Sequence, residues 1–168
     1  MKKRTGIIGV LIAILALGIG YAAVSAITLT ITGSGSVSPD DANFNVHYTG
    51  EVTVTKSNND ITTSQSHNNA QAGEFTITGM TKKDDTVTFT YTVINESEDL
   101  AATLAAPVVA TNSNSTYFSV SSATAANTLT ANGGTTTQTV TVTAIKTPVD
   151  ETETTNVTIN LVASPDNS

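Results

Sequence analysis

Alternation of apolar and polar residues dominates the chain after residue 26. Ile27, Leu29 and Ile31 alternate with threonines, and the same period of two recurs at 43–48, 52–55, 87–94, 139–143 and 157–162. Because successive side chains of a strand point to opposite faces, each run is typical of a strand with one buried and one solvated face. No stretch after residue 26 has the i, i+3, i+4 apolar spacing of an amphipathic helix. The pattern predicts an all-β protein.

Turn-forming residues separate these runs. They cluster at 57–60, 68–69, 82–85 and 132–134, and Asn132-Gly133-Gly134 has the composition of a tight hairpin. We therefore predict eight to ten short strands in a single antiparallel β-sandwich, either jelly-roll or immunoglobulin-like. The polar stretch 62–72 is expected to be a long surface loop, and 101–111, which contains Pro107, to lie at a sheet edge.

The N-terminus has the layout of a secretory signal peptide. Three basic residues at positions 2–4 precede an uncharged run at 6–20 and a small-residue stretch at 21–26. Val24 and Ala26 occupy the −3 and −1 positions of a cleavage site, so the mature chain is expected to begin at Ile27. The predicted organisation is a signal peptide at 1–26, an N-terminal strand and Gly/Ser hinge at 27–36, and a β-sandwich domain at 37–168.

Two other interpretations of the N-terminus remain. An uncleaved anchor is the first, because the uncharged stretch continues through Ile31 and is long enough to cross a bilayer. A type IV pilin leader cut after Gly6 is the second, although Leu11 stands where such pilins usually carry an acidic residue. The expected partners of this segment are the export machinery and a signal peptidase. Membrane contact is expected only through this segment before cleavage.

Charge composition excludes several classes of protein. The net charge of −7 and the pI near 4.5 exclude a basic nucleic-acid binder, and the absence of Cys excludes a disulfide-stapled mini-protein. Removal of the signal leaves four lysines against 14 acidic residues, a net charge of about −10. With only 12% charged residues and about a fifth Thr, the mature chain suits strands with uncharged polar faces, and we expect it to be extracellular or at the cell surface.

Residues that could carry catalysis are scarce. His47 and His67 are the only histidines, no His-Glu-x-x-His helix motif exists, and no Gly-x-Ser-x-Gly elbow occurs. Both histidines are expected to be solvated rather than metal ligands. We therefore predict no catalytic residue, no resident cofactor and no enzyme activity.

Two kinds of candidate binding or modification site remain. Acidic clusters at 40–41, 84–85, 96–99 and 150–153 could bind Ca²⁺ weakly, although none matches an EF-hand. Asn-x-Ser/Thr sequons make Asn95, Asn114 and Asn156 candidate glycosylation sites.

Residues 75–104 resemble a known family. They run through the strand 75–78, Met80, the acidic turn Asp84-Asp85, a long strand ending at Asn95 and an Ala-containing strand to Leu104. This order is similar to that of the TasA/camelysin-like family of exported β-sandwich proteins, which commonly has Gly-Asp at the turn. The resemblance implies a jelly-roll subunit of an extracellular fibre, in which the N-terminal strand of one subunit completes the sheet of the next.

The segment 27–32 suits that role from its own composition. It has high β-propensity and no charge, Pro or Gly, and Gly33-Ser34-Gly35-Ser36 follows it. Such a strand can add to an exposed sheet edge, with Ile27, Leu29 and Ile31 filling pockets, or it can be the first strand of its own domain.

The resulting function hypotheses are three. The first is a self-associating, homopolymeric subunit of an extracellular filament or biofilm matrix. The second is a monomeric cell-surface binding or adhesion module acting through the loops 57–72 and 111–116, and the third is a secreted metallopeptidase.

Overall fold

The computed structural model describes residues 27–32, 44–67, 71–149 and 153–166. The predicted signal peptide with Val24 and Ala26, the hinge at 33–36 and the acidic pair at 40–41 lie outside the described residues. The described part contains no helix and eleven strands, which confirms the all-β prediction. The strands are β1 (Ile27–Thr32), β2 (Val46–Lys56), β3 (Thr62–Ser66), β4 (Ala72–Thr78), β5 (Thr86–Asn95), β6 (Ala101–Leu104), β7 (Val108–Asn112), β8 (Phe118–Thr124), β9 (Thr128–Leu129), β10 (Gly134–Ala144) and β11 (Val157–Asp166).

The strands form two sheets. The larger has seven strands in the order β3-β4-β1-β11-β6-β9, with β7 also paired to β11, and the smaller has the order β2-β5-β10-β8. All pairs are antiparallel except β1 with β4, which run parallel. The long strands β5, β10 and β11 therefore lie inside their sheets and carry most of the alternating residues seen in the sequence.

One hydrophobic core serves both sheets. Buried residues occur at every second position of β5, β10 and β11, so the inward faces of the two sheets supply the same cluster. Phe75 of the larger sheet stacks on Phe89 of the smaller one with ring centroids 4.7 Å apart. The period of two in the sequence is thus the signature of these inward faces.

A buried polar chain crosses the inner face of the smaller sheet. The Tyr48 hydroxyl donates to Gln138 Oε1 at 2.7 Å, and Gln138 Nε2 donates to Ser122 Oγ at 3.0 Å. Tyr48 and Gln138 are fully buried, and burial, followed by the neighbouring Tyr91, raises the pKa of the Tyr48 hydroxyl well above its ordinary value. Because each polar atom in this chain has a partner, the bonds fix β2, β10 and β8 relative to one another at little desolvation cost.

A second polar contact joins the two sheets. The Tyr91 hydroxyl of β5 donates to the carbonyl of Glu74 in β4 at 3.2 Å. The ring lies so close to Gly73 that a Cβ there would sit 2.8 Å from a ring carbon, which explains glycine within this strand. Burial, and then the negative charge of Glu74, raise the pKa of Tyr91.

Two predictions about connections are wrong. Residues 62–66 form strand β3 rather than part of a surface loop, and they pair with β4 from Thr62↔Thr78 to Ser66↔Glu74. A main-chain ladder needs no apolar side chains, so a polar edge strand leaves no period in the sequence. The turn at 132–134 has positive φ at Asn132 (60°) and Gly133 (99°), but it joins β9 in one sheet to β10 in the other and closes no hairpin.

The segment 101–111 divides into two strands around Pro107. Both β6 and β7 pair with β11, and the break between them falls at 105–107. The edge prediction is wrong for β6, which lies between β11 and β9. Among the described strands β7 pairs with β11 alone, so it does lie at an edge.

Replacing Gln138 with Leu should destabilise the protein by about 1–3 kcal/mol, because the Tyr48 hydroxyl is then buried without an acceptor. The companion double variant Tyr48→Phe/Gln138→Leu should recover part of the loss, since both polar partners are gone. Urea unfolding of the two variants and the wild type measures the difference. A double variant that is no more stable than Gln138→Leu would contradict the role given to this bond.

Candidate functional site

The first strand occupies an interior position of the larger sheet. All six residues of β1 pair with β11, from Ile27↔Ala163 to Thr32↔Thr158, and its last three pair with Ala72–Glu74 of β4. Ile27, Leu29 and Ile31 lie opposite Ala163, Leu161 and Ile159, which are buried. The position between β4 and β11, called here the β1 slot, is thus filled by the segment that the sequence singled out for strand addition.

A cleft continues from the end of the β1 slot. Beyond Thr32, β4 runs on to Thr78, and no described strand pairs with it on the β1 side. The cleft between this part of β4 and residues 153–157 has a volume of about 420 Å³. Phe118 and Val142 of the smaller sheet also line it. Its lining combines apolar side chains with threonines from both walls.

One wall of the cleft is held by the loop after β7. The Asn114 amide donates to Glu153 Oε2 at 3.0 Å and to the Thr154 carbonyl at 3.1 Å. Asn112 Oδ1 accepts the hydroxyl of Thr155 at 2.8 Å. The loop 111–116, which the sequence offered as a binding loop, is therefore occupied in fixing residues 153–155.

His47 does not lie in solvent as expected. It is only 9% exposed, its Nδ1 lies 3.1 Å from Asn45 Oδ1, and its Nε2 lies 3.8 Å from a Glu96 carboxylate oxygen. The turn after β5 covers it, because the Glu96 N–H donates to the carbonyl of Asn45. Alternation within β2 alone could not reveal this cover, which comes from another strand's turn.

His67 lies directly after β3 rather than in a long loop. Its Nε2 donates to the carbonyl of Gly50 in β2, and this contact links the edges of the two sheets. Gln65, His67 and Glu51 help to line a small cavity of about 350 Å³ beside it. In the described ranges no group of three or more His, Cys, Asp or Glu side chains could hold a metal ion.

Asp85, in one of the acidic pairs that the sequence offered as a weak calcium site, has a structural role in its own turn. Its Oδ2 accepts the N–H groups of Thr81 and Lys82 at 2.8 and 3.0 Å, and its Oδ1 accepts the Asn58 amide at 2.6 Å. Burial opposes ionisation, but the backbone donors, the Asn58 amide and the charge of Lys82 outweigh it and lower the pKa of Asp85. Its carboxylate thus closes the 81–85 turn.

The three sequon asparagines differ in access. Asn95 is fully buried, its Nδ2 donates to the carbonyls of Leu100 (2.8 Å) and Thr130 (3.2 Å), and its Oδ1 accepts the N–H of Ser97 at 3.1 Å. Asn114 is half-buried and its amide is engaged, whereas Asn156 is exposed. The folded chain therefore presents only Asn156, of these three, to a modifying enzyme.

Sequence reasoning missed the structural role of Asn95, although a signal was present. Asn95 continues the inward phase of Val87, Phe89, Tyr91 and Val93. A polar residue at a buried position of an alternating strand requires partners, and here they come from two loops.

No family model, curated protein or solved structure matches this chain. Within the part of the chain that the structure describes, no helix has the length and apolar character needed to cross a membrane.

Replacing Asp85 with Asn should lower the free energy of unfolding at pH 7 by roughly 2–3 kcal/mol, because charge-assisted bonds to three donors are weakened. The wild-type carboxylate stabilises the fold above its unfolded pKa of 3.8, and this contribution is lost as the pH falls through the lower folded value. The variant should therefore lose less stability than the wild type below about pH 4. Urea unfolding at pH 7 and pH 3 tests both effects.

The control is Asp84→Asn, which removes the same charge from an exposed neighbouring residue with positive φ that Asn tolerates. Equal losses for the two variants would show that net charge, not the hydrogen bonds of Asp85, determines the effect.

Proposed function

We propose that this protein is an exported structural protein, the subunit of an extracellular filament or biofilm-matrix fibre. Assembly places β1 of one copy in the β1 slot of the next. The observation that carries the proposal is the interior position of β1, between β4 and β11. An interior slot filled by a terminal strand of the domain can accept the same strand from a second copy, because every contact is identical.

The architecture proposed for the subunit is a β-sandwich of the jelly-roll or immunoglobulin-like type. Two sheets that share one core support it, as does the Phe75–Phe89 stack between them. The resemblance of residues 75–104 to the TasA/camelysin-like family points in the same direction. Cleavage after Ala26 would make Ile27 the first residue and free β1 for exchange.

The free energy of pairing β1 with β11 also allows β1 to be exchanged between copies. The six residue pairs with β11 form equally well within one molecule or between two. Their free energy therefore cancels, and the balance depends on subunit concentration against the effective concentration set by the connection from Thr32 to Phe44. Closed monomers and open chains of subunits are then two outcomes of one pairing.

A second candidate function is a monomeric cell-surface binding module. The observation in its favour is the cleft beyond the β1 slot, whose volume of about 420 Å³ falls in the range of small-molecule sites. In that case β1 stays in its own molecule, and the cleft binds the ligand.

Paired cysteines distinguish these outcomes, because the chain has no Cys of its own. Thr28 and Val162 are directly paired. In Thr28→Cys/Val162→Cys the two Cα atoms are therefore about 4.5–5.5 Å apart, a separation that a disulfide spans. We expect a ladder of covalent multimers on non-reducing gels of the polymerised protein. Mixing two single-cysteine chains should likewise give covalent dimers.

The matched control pairs Thr28→Cys with Thr158→Cys, since Thr158 lies opposite Thr32 and is four residues out of register. It should give no ladder. If the Thr28/Val162 pair yields only cross-linked monomers, β1 exchange is excluded.

Deletion of 27–32 is a second test, and fibres that persist without this strand in electron micrographs would contradict the proposal.

A further inference from the structure

The edge strands of the two sheets differ in how they are protected. An edge strand presents unpaired N–H and C=O groups to any other strand, and proteins protect such edges with charges, Pro, bulges, short length or a covering segment. Among the described strands the edges are β2 and β8 in the smaller sheet and β3, β7 and β9 in the larger.

Two edges meet on one side of the molecule and protect each other. β2 has a register shift between Thr49 and Thr53 and carries Glu51 and Lys56. β3 approaches it through the hydrogen bond from His67 to the Gly50 carbonyl. Neither edge offers a long, regular, neutral strand.

The edges of the larger sheet on the other side are interrupted. β9 has only two residues. β7 follows Pro107, and its pairing with β11 has a register shift between Thr158 and Ile159. Both are poor templates for another chain.

β8 has none of these protective features beyond its first residue, where the Asn112 side-chain amide of β7 donates to the Phe118 carbonyl. Its seven residues include no charge, Pro or Gly, and its pairing with β10 runs without a register shift. The Ile145 N–H donates to Tyr117 and the Ala125 N–H to Thr137, so the odd-numbered positions face β10. By alternation, residues 120, 122 and 124 turn their N–H and C=O groups outward, where no described strand pairs with them.

Charge favours a second copy of this chain on that edge. The adjacent strands β5, β10 and β8 contain no Asp, Glu, Lys or Arg, although the whole chain has a net charge of −7. Two such acidic molecules repel each other through their net charge, and contact through a neutral strand avoids like-charge pairs. A basic partner would find no complementary charge on this edge.

We propose that β8 pairs antiparallel with β8 of a second copy about a two-fold axis at Ser122. Val120 then lies opposite Thr124 of the second copy, and Ser122 opposite its own equivalent. The three outward-turned residues of each strand form about six hydrogen bonds across the axis. Two four-stranded sheets become one eight-stranded sheet, and the contact closes at two copies because it is isologous.

This pairing does not require exchange of β1. If β1 is exchanged as proposed above, the two contacts together give paired filaments. If β1 stays in its own molecule, β8 pairing gives a dimer and stops there.

A charge-pair test uses the exposed residues Ser121 and Ala123, which this register places opposite each other across the axis. Ser121→Glu/Ala123→Glu sets carboxylates against carboxylates at about 4.5–5.5 Å between Cβ atoms and should weaken dimerisation about tenfold or more. Ser121→Glu/Ala123→Lys changes the same residues but pairs opposite charges, and it should dimerise at least as tightly as the wild type. Sedimentation of the full chain as processed by the producing cell measures the dissociation constants, and melting curves verify folding.

The pairing is overturned if the Glu/Glu variant dimerises like the wild type, or if the Glu/Lys variant is as weak as the Glu/Glu variant. The β1 cysteine ladder, read in the same backgrounds, separates the two proposals. If the covalent multimers of the β1 cysteine variants persist but β8 dimers do not form, only the β8 pairing is wrong. If β8 dimers form without those covalent multimers, only the exchange of β1 is wrong.

Discussion

Pairing to β11 is the constraint on which the larger sheet depends. This strand holds β1 along one side and both β6 and β7 along the other, and its residues Val157, Ile159, Leu161 and Ala163 bury one full face in the core. Without it the sheet has no connection between its two halves. The alternation at 157–163 therefore specifies a core face and a register for three other strands at once.

The smaller sheet depends on polar bonds as well as on its apolar face. Tyr48, Gln138 and Ser122 form a chain of bonds across its inner side, and Asn95 ties the end of β5 to two loops. Apolar contacts alone would tolerate a slip of two residues in register. Buried polar groups do not, because each would lose its partner. Both sheets therefore have one defined alignment despite the repetitive Thr-rich sequence.

Sequence patterns revealed the parts of the fold that bury a regular face. β5 and β11 were predictable because each alternates along most of its length, and the second half of β10 was predictable from the alternation at 139–143. β3 was not, since its ladder with β4 involves only the main chain, and the cover over His47 comes from a turn far along the chain. The segment 27–32 was recognisable as a strand, but its two neighbours were not, because period and composition contain no information about pairing partners.

The large separation in sequence between β1 and its partner β11 has a consequence for the kinetics of folding. Ile27 pairs with Ala163, so the strand nearest the predicted cleavage site cannot dock before β11, the last of the described strands, has formed. Closing the long loop between β1 and β11 is slow compared with pairing β5 and β10, because these two strands lie closer together in sequence. Between the formation of β11 and the docking of β1, the β1 slot is unfilled and the segment 27–32 is unpaired. If β1 is exchanged as proposed, the choice between a closed monomer and a chain of subunits is therefore made while the protein folds.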